Sequence, residues 1–462
     1  MTAAAPRAAW RSWGLALLLA SVFAVAASRA AVNDGDLFWQ LATARWVVEH
    51  GALARTDTFS STALGAQVPQ HEWLSQMLLY AAYSAASWWG IVAVRTVAVL
   101  LLATVVVATA LRSAPRPLFA AIASAPALAL VRIDWNDRVE LYGLVCFAVF
   151  LWAIVSARDG RTRALAILPP LFALWANLHG GFAVGVVLLA VALVEVAIFA
   201  PALRRAFAVA TAATVLATFV NPDGPRVYEN PAWHLLDPPR FIEEWRAPDL
   251  TTATGTLFFI TLAAVIAVAL AARTGPRWIA LLAPLAFLGL LATRNAPLFA
   301  LAAAPFLASA LPRALERLGA HSVPATRSGP PLPISLALAT LVTASAIAAA
   351  AREPDLSLYP TAALPYLRAD GVLLNEYMWG GYLIWATGIP VFVDGRLRPY
   401  VGPVLDDYLL ALDARPGWDE VLDRYGVTQV LLRPTWPLVA ALRERGWRRI
   451  VDDPGMVLLR RP

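Results

Sequence analysis

The chain has 462 residues, of which 59% are hydrophobic and 15% charged, and its mean hydropathy is +0.62. These values exclude an ordinary soluble domain and predict a polytopic α-helical membrane protein. All the basic residues are Arg, and the net charge of +6 is spread over many short segments, which gives no support to a nucleic-acid partner.

Apolar stretches close to the ~20 residues that cross a bilayer recur about eleven times, at 12–31, 91–111, 117–131, 139–157, 164–178, 181–200, 205–220, 253–272, 278–293, 295–311 and 333–351. With the N-terminus in the cytoplasm, the inner segments collect Arg7, Arg11, Arg112, Arg116, Arg158, Arg161, Arg163, Arg204, Arg205, Arg273, Arg277, Arg313, Arg317 and Arg327. The opposite face is acidic by contrast. The first stretch resembles a secretory signal, with Arg7 and Arg11 ahead of it and Ala26-Ala27-Ser28 at its end, but ten further spans favour its retention as an anchor. The single cysteine, Cys146, excludes an internal disulfide and is expected to pack in an apolar span.

Directly after the first span comes Asn33-Asp34-Gly35-Asp36, a carboxylate pair whose position at a membrane helix end asks for a functional reason. It opens an outer loop, 32–90, too long for a plain connector. Two interfacial helices are expected within it. The first, 37–50, places Leu37, Leu41, Ala44 and Val48 at helical spacing; the second starts at His71-Glu72-Trp73 and stops at Trp88-Trp89-Gly90. A second outer loop, 221–252, is rich in turn formers and holds Glu243-Glu244-Trp245-Arg246, while 312–333 reads as a Pro- and Arg-rich connector.

After residue 351 the composition becomes that of a soluble domain. Strands are predicted at 371–376, 391–394, 428–432, 448–452 and 456–460, and helices near 379–387, 404–412, 418–425 and 438–445. The chain is thereby divided into a membrane domain, 1–351, and a small extracytoplasmic α/β domain, 352–462.

This order of parts resembles the GT-C class of integral-membrane glycosyltransferases, and most of all a bacterial branch that opens on Asp-x-Asp-x-x-Trp and carries a His-Glu-Trp helix start. Here those motifs are Asp34-Gly-Asp-Leu-Phe-Trp39 and His71-Glu-Trp73. Segments 375–377, 380–382 and 394–396 resemble recurrent elements of the same branch, although turn chemistry is their plainer reading. The resemblance implies a plasma-membrane enzyme that transfers a sugar from a polyprenyl-phosphate-linked donor, at the outer face, with the acidic loop at the active site. Membrane lipid and the donor are the implied partners, and spacing specifies neither the sugar nor the acceptor.

The chemistry agrees with that expectation. A carboxylate, Asp34 or Asp36, can take the proton of an acceptor hydroxyl as it attacks the anomeric carbon. The leaving lipid phosphate calls for an arginine or a divalent cation. Arg294, flanked by Thr293 and Asn295, is the first candidate and Arg132 the second. Two carboxylates one residue apart can also hold Mg2+ or Mn2+. His71 and Glu72 are candidates to complete the site, and His179, in the turn His179-Gly180-Gly181, to bind phosphate or substrate.

Each choice has a plainer competitor: a helix cap for Asp34 or Asp36, a polar interfacial anchor for His71, and mutual pairing within the charged segment 132–138. The rival function is a non-enzymatic membrane protein, either a transporter or flippase of lipid-linked saccharides or a cell-envelope assembly factor. A transporter would place ionisable groups mid-span, and Glu195 is the nearest case.

Overall fold

The computed structural model describes all residues except 1–3, 133–134, 136, 237–238, 240, 320–329 and 352, with side chains from residue 12 onward. Helices in chain order are α1 (Ala4–Ser28), α2 (Gly35–His50), α3 (Trp73–Ser113), α4 (Pro117–Val131), α5 (Glu140–Arg158), α6 (Leu168–Leu178), α7 (Phe182–Phe199) and α8 (Arg204–Ala217). They continue as α9 (Glu229–Leu236), α10 (Ala253–Ala272), α11 (Pro276–Leu291), α12 (Ala296–Arg317), α13 (Leu332–Ala348), α14 (Gly380–Thr387), α15 (Pro403–Leu412), α16 (Trp418–Arg424) and α17 (Pro437–Glu444).

Two compact units emerge: Met1–Ala30 with Trp89–Ala351, and Ala31–Trp88 with Arg352–Pro462. A division at residue 351 leaves loop 32–90 with the membrane segments, whereas in the structure most of that loop shares a unit with the C-terminal residues. The chain passes between units inside α3, where Ala86 (φ −148°) and Ser87 (φ 53°) leave helical geometry and end the expected second loop helix. A positive φ is unusual for serine, so the break is a built feature of the junction.

The first unit is helical, and all eleven apolar stretches are helices in it. Among the described residues, five helices are long and apolar enough to cross a membrane: Trp73–Ser113, Glu140–Arg158, Phe182–Phe199, Ala253–Ala272 and Thr293–Arg317. Five more apolar segments are shorter. At 1.5 Å per residue a 15-residue helix such as α4 spans only about 22 Å of the ~30 Å hydrocarbon core.

Lipid is nonetheless the medium these helices are built for, since Val187, Val194, Leu270 and Phe287 are all more than half exposed on apolar helices. Helix α1 packs on α13, and Ala16, Ala20, Ala24 and Ala27 form a fully buried stripe along α1. Small residues at this spacing let helix backbones approach where apolar burial supplies little drive. Further on, α12 packs against α4, α10 and α11.

The second unit is a three-layer α/β structure. Its sheet has strand order β1-β2-β4-β3, formed by β1 (Val372–Asn375), β2 (Val427–Leu432), β3 (Arg448–Asp453) and β4 (Met456–Arg460); β1 and β2 are parallel, the other pairs antiparallel. Alternate residues serve opposite faces. Leu373, Leu431 and Leu458 pack with Phe38, Trp39 and Ala42 of α2 and with Tyr382, Leu383 and Ile384 of α14. Leu374, Val430, Leu432, Val457 and Leu459 pack with residues of α15, α16 and α17.

Two expectations are corrected here. The stretch 391–394 is no ladder strand, because the Asn375 side chain takes the place of one: its Oδ1 accepts the Phe392 N–H (2.8 Å) and its Nδ2 donates to Val393 O (2.9 Å). Only an isolated parallel bridge, Leu373 to Val391, remains of sheet pairing there with β1. Helix α2 stands where expected but is not one-sided, since every residue from Leu37 to Ala44 is buried. Its aromatic residues are part of a sheet-facing core, which is why loop 31–88 travels with the C-terminal residues.

Candidate active site

The acidic motif begins α2. Asp34 is its N-cap, in extended conformation, and its Oδ1 accepts the Asp36 N–H at 2.9 Å. That bond satisfies one of the orphan donors of the first turn, which is why Asp suits the position. Asp36 lies in the first turn, where the helix dipole favours a carboxylate. It is half-buried, and the Trp39 indole N–H donates to its Oδ1 at 3.0 Å. The two carboxylates therefore have separate tasks. Asp34 holds backbone, while the carboxylate of Asp36 is oriented by an indole.

Around Asp36 three segments meet backbone to backbone. A Cβ on Gly35 would lie 2.9 Å from Met378 O, and one on Gly381 would lie 2.6 Å from Gly35 O. On Gly395 it would overlap Asp36 Oδ1 and stand 3.0 Å from Trp39 Nε1. Glycine is required here for approach, not for an unusual φ. The structure thus brings together 34–39, 380–382 and 394–396, three elements that the sequence singles out separately.

Gly395→Ala is expected to rotate the Asp36 carboxylate off the indole, breaking one hydrogen bond of about 1 kcal/mol. Activity should fall at least tenfold while the apparent Tm moves little. Equal proportional losses in folded yield and activity would show that Gly395 serves only the fold.

Behind Gly395 lies a buried charge network that sequence reading missed. Arg396 forks onto Asp394 (Nε to Oδ1 2.8 Å, Nη2 to Oδ2 2.6 Å) and also pairs with Asp57. Tyr400 donates to Asp394 Oδ2 at 2.6 Å, and Asp57 accepts from Ser60 N at 3.1 Å and from Ser60 Oγ. Burial alone would lower the Arg396 pKa, but Asp394, Tyr400 and Asp57 hold it well above the ordinary value. Tyr400 is pushed far up by burial and by Asp394, so it stays a neutral donor. Nearby, Glu376 accepts from Trp436 Nε1 at 2.7 Å. Asp57 and Arg396 stand 339 positions apart, so no local spacing signals their pairing.

The other candidates have the following partners. His71 Nε2 and Glu72 Oε1 pair with each other at 3.0 Å, half-buried in the same unit as Asp36. In the membrane unit Arg294 is bound by two protein carboxylates, Glu244 (3.0 Å) and Glu140 (3.3 Å), and its guanidinium lies over Trp245. Glu244 also binds Arg138 at 2.9 Å. Asn295 Nδ2 donates to Leu288 O at 3.1 Å. His179 accepts the Gly181 N–H at 3.1 Å, in the expected tight turn. Arg132 is exposed at the end of α4; of the carboxylates expected to pair with it, the one at 134 lies outside the described residues, and Asp137 is bound by Arg95 at 2.8 Å. Glu195 forms a 2.9 Å ion pair with Arg158.

Burial raises the Glu244 pKa, but Arg294 and Arg138 together with His179 outweigh it and bring the carboxyl below the ordinary glutamate range. A depressed carboxyl stabilises the fold above its ordinary pKa, and that stability is lost as pH falls through the depressed value. Glu244→Gln should therefore lower the apparent Tm at pH 7, with the gap to the parent closing on acidification through pH 4. A gap independent of pH would contradict the assignment.

Among the described residues no three His, Cys, Asp or Glu side chains converge as a metal site. Asp34 Oδ1 and Asp36 Oδ1 each accept an N–H, so a hard cation here would take the remaining carboxylate oxygens, with water or substrate completing its shell. No step is routed through Mg2+ or Mn2+ at this pair.

No protein-family model matches the chain, and no curated protein matches it. Among solved structures it is similar to ArnT from Cupriavidus metallidurans in the apo state, at 13% identity over 96% of each chain with a TM-score of 0.45. At that score the likeness carries no argument about activity.

Proposed function

We propose that this chain is a GT-C-type glycosyltransferase of the plasma membrane that moves a sugar from a polyprenyl-phosphate-linked donor to an acceptor hydroxyl. In this reading the N-terminus is cytoplasmic, and loop 31–88 and residues 352–462 are extracytoplasmic, in keeping with the division of arginines and carboxylates along the sequence.

Asp36 is the general base. It takes the acceptor O–H proton as that oxygen bonds to the anomeric carbon, and the bond from that carbon to the phosphate oxygen breaks, releasing polyprenyl phosphate. Asp34 supports it as the helix cap. The leaving phosphate is assigned to Arg294, ahead of Arg132, with His179, Asn295, His71 and Glu72 as polar substrate contacts. The observation that carries the reading is the Asp36 carboxylate itself, half-buried, oriented by Trp39 and bordered by Gly395. A residue needed only as a cap would not require this surrounding, because Asp34 already caps the helix.

The transporter reading loses its nearest support, because Glu195 is neutralised by Arg158. The test is a strain lacking the protein, examined for a missing lipid-linked or surface glycan, together with transfer from a labelled polyprenyl-phosphate sugar by the purified chain in detergent. Transfer without a membrane gradient excludes a flippase, and an unchanged glycan profile in the deletion strain would overturn the enzyme reading.

A further inference from the structure

We infer that Arg138 and Arg294 form an anion site which Glu244 occupies from within, and that the external anion it stands in for is a phosphate group. The choice of phosphate rests on the proposed lipid-phosphate donor; the site itself does not. One carboxylate spans two guanidiniums, Oε1 to Arg294 Nη1 at 3.0 Å and Oε2 to Arg138 Nη1 at 2.9 Å. Phosphate oxygens fit guanidinium N–H donors in the same way and add a third acceptor.

Three features make the carboxylate the exchangeable member. Its side chain is 34% exposed against 19% for Arg138 and 22% for Arg294, so solutes reach it first. The backbone beside it is pinned, because Thr293 N and Oγ1 both donate to Arg246 O (2.9 and 3.2 Å), so release needs only rotation of the Glu244 side chain. The Arg294 guanidinium rests 4.2 Å from the Trp245 ring centroid, and His234 stacks on the same indole at 4.8 Å. That aromatic support keeps the arginine in place once the carboxylate has left. The N-termini of α5 and α12 begin at Glu140 and Ala296, and their dipoles favour an anion in this region.

An internal competitor lowers apparent affinity by the fraction of time it leaves the site open. Glu244→Ala and the volume-conserving Glu244→Gln should each tighten binding about tenfold if the carboxylate occupies the site roughly nine-tenths of the time. Binding is read by calorimetry on the full chain in detergent, with inorganic phosphate as one probe and a short-chain polyprenyl phosphate as the other. Adding Arg138→Ala to Glu244→Ala should abolish the gain. Tightening for both probes supports the site with the phosphate alone sufficient; tightening for polyprenyl phosphate only supports it with the lipid required. Unchanged affinity in both variants, or no binding by either probe, overturns it. Since no turnover is measured, the result is separable from the role of Asp36.

Discussion

Asp36→Asn is expected to lower sugar transfer by about 10²–10⁴-fold, the usual worth of a positioned general base, with no loss of folded protein. Asparagine keeps an oxygen for the Trp39 indole, so the 3.0 Å bond and the packing under Gly395 can persist while basicity is lost. Asp34→Asn serves as the internal comparison. Asparagine caps helices as well as aspartate does, so the bond to Asp36 N survives and activity should stay within a few-fold of the parent. Asp34→Ala removes the cap at a cost of about 1 kcal/mol and should reduce folded yield and activity together. Single-turnover transfer from a labelled donor, normalised to monodisperse protein, separates these cases. If Asp34→Asn is the dead variant and Asp36→Asn the active one, the base is Asp34.

Periodicity and composition made much of the fold legible. The eleven apolar stretches, the helix start after Asp34, the break near Trp88 and four of the five predicted strands all follow from local signals that the chain carries within a few residues. What escaped involved partners distant in sequence. The face of α2 could not be read from its pattern because Phe38 and Trp39 meet a sheet assembled more than 330 residues later. The stretch 391–394 carries a strand-like pattern, but a side-chain amide, Asn375, bonds the backbone groups that a neighbouring strand would otherwise take. At the site, Asp34 and Asp36 could be singled out by position, but their different duties depend on one hydrogen bond each. A positive charge at the depth of Arg294 wants a partner or an anion, and the structure supplies two carboxylates from segments whose spacing gives no hint of it.

The largest stability effect is expected at Arg396. Its guanidinium is 5% exposed and lies between Asp57 and Asp394, whose side chains are fully buried. Removing one partner from such a network leaves uncompensated buried charge, typically at a cost of about 3–5 kcal/mol. That is a large share of the usual 5–15 kcal/mol of a folded domain, so Arg396→Ala should sharply reduce monodisperse protein. Lysine should rescue little, because a point charge cannot reproduce the fork onto Asp394. Thermal unfolding of the full chain in detergent, followed by size-exclusion recovery, measures this directly. An Arg396→Ala protein as stable as the parent at pH 7.5 would mean that water or a shifted neighbour solvates the two aspartates, and that Gly395 is positioned against Asp36 without the network beneath it.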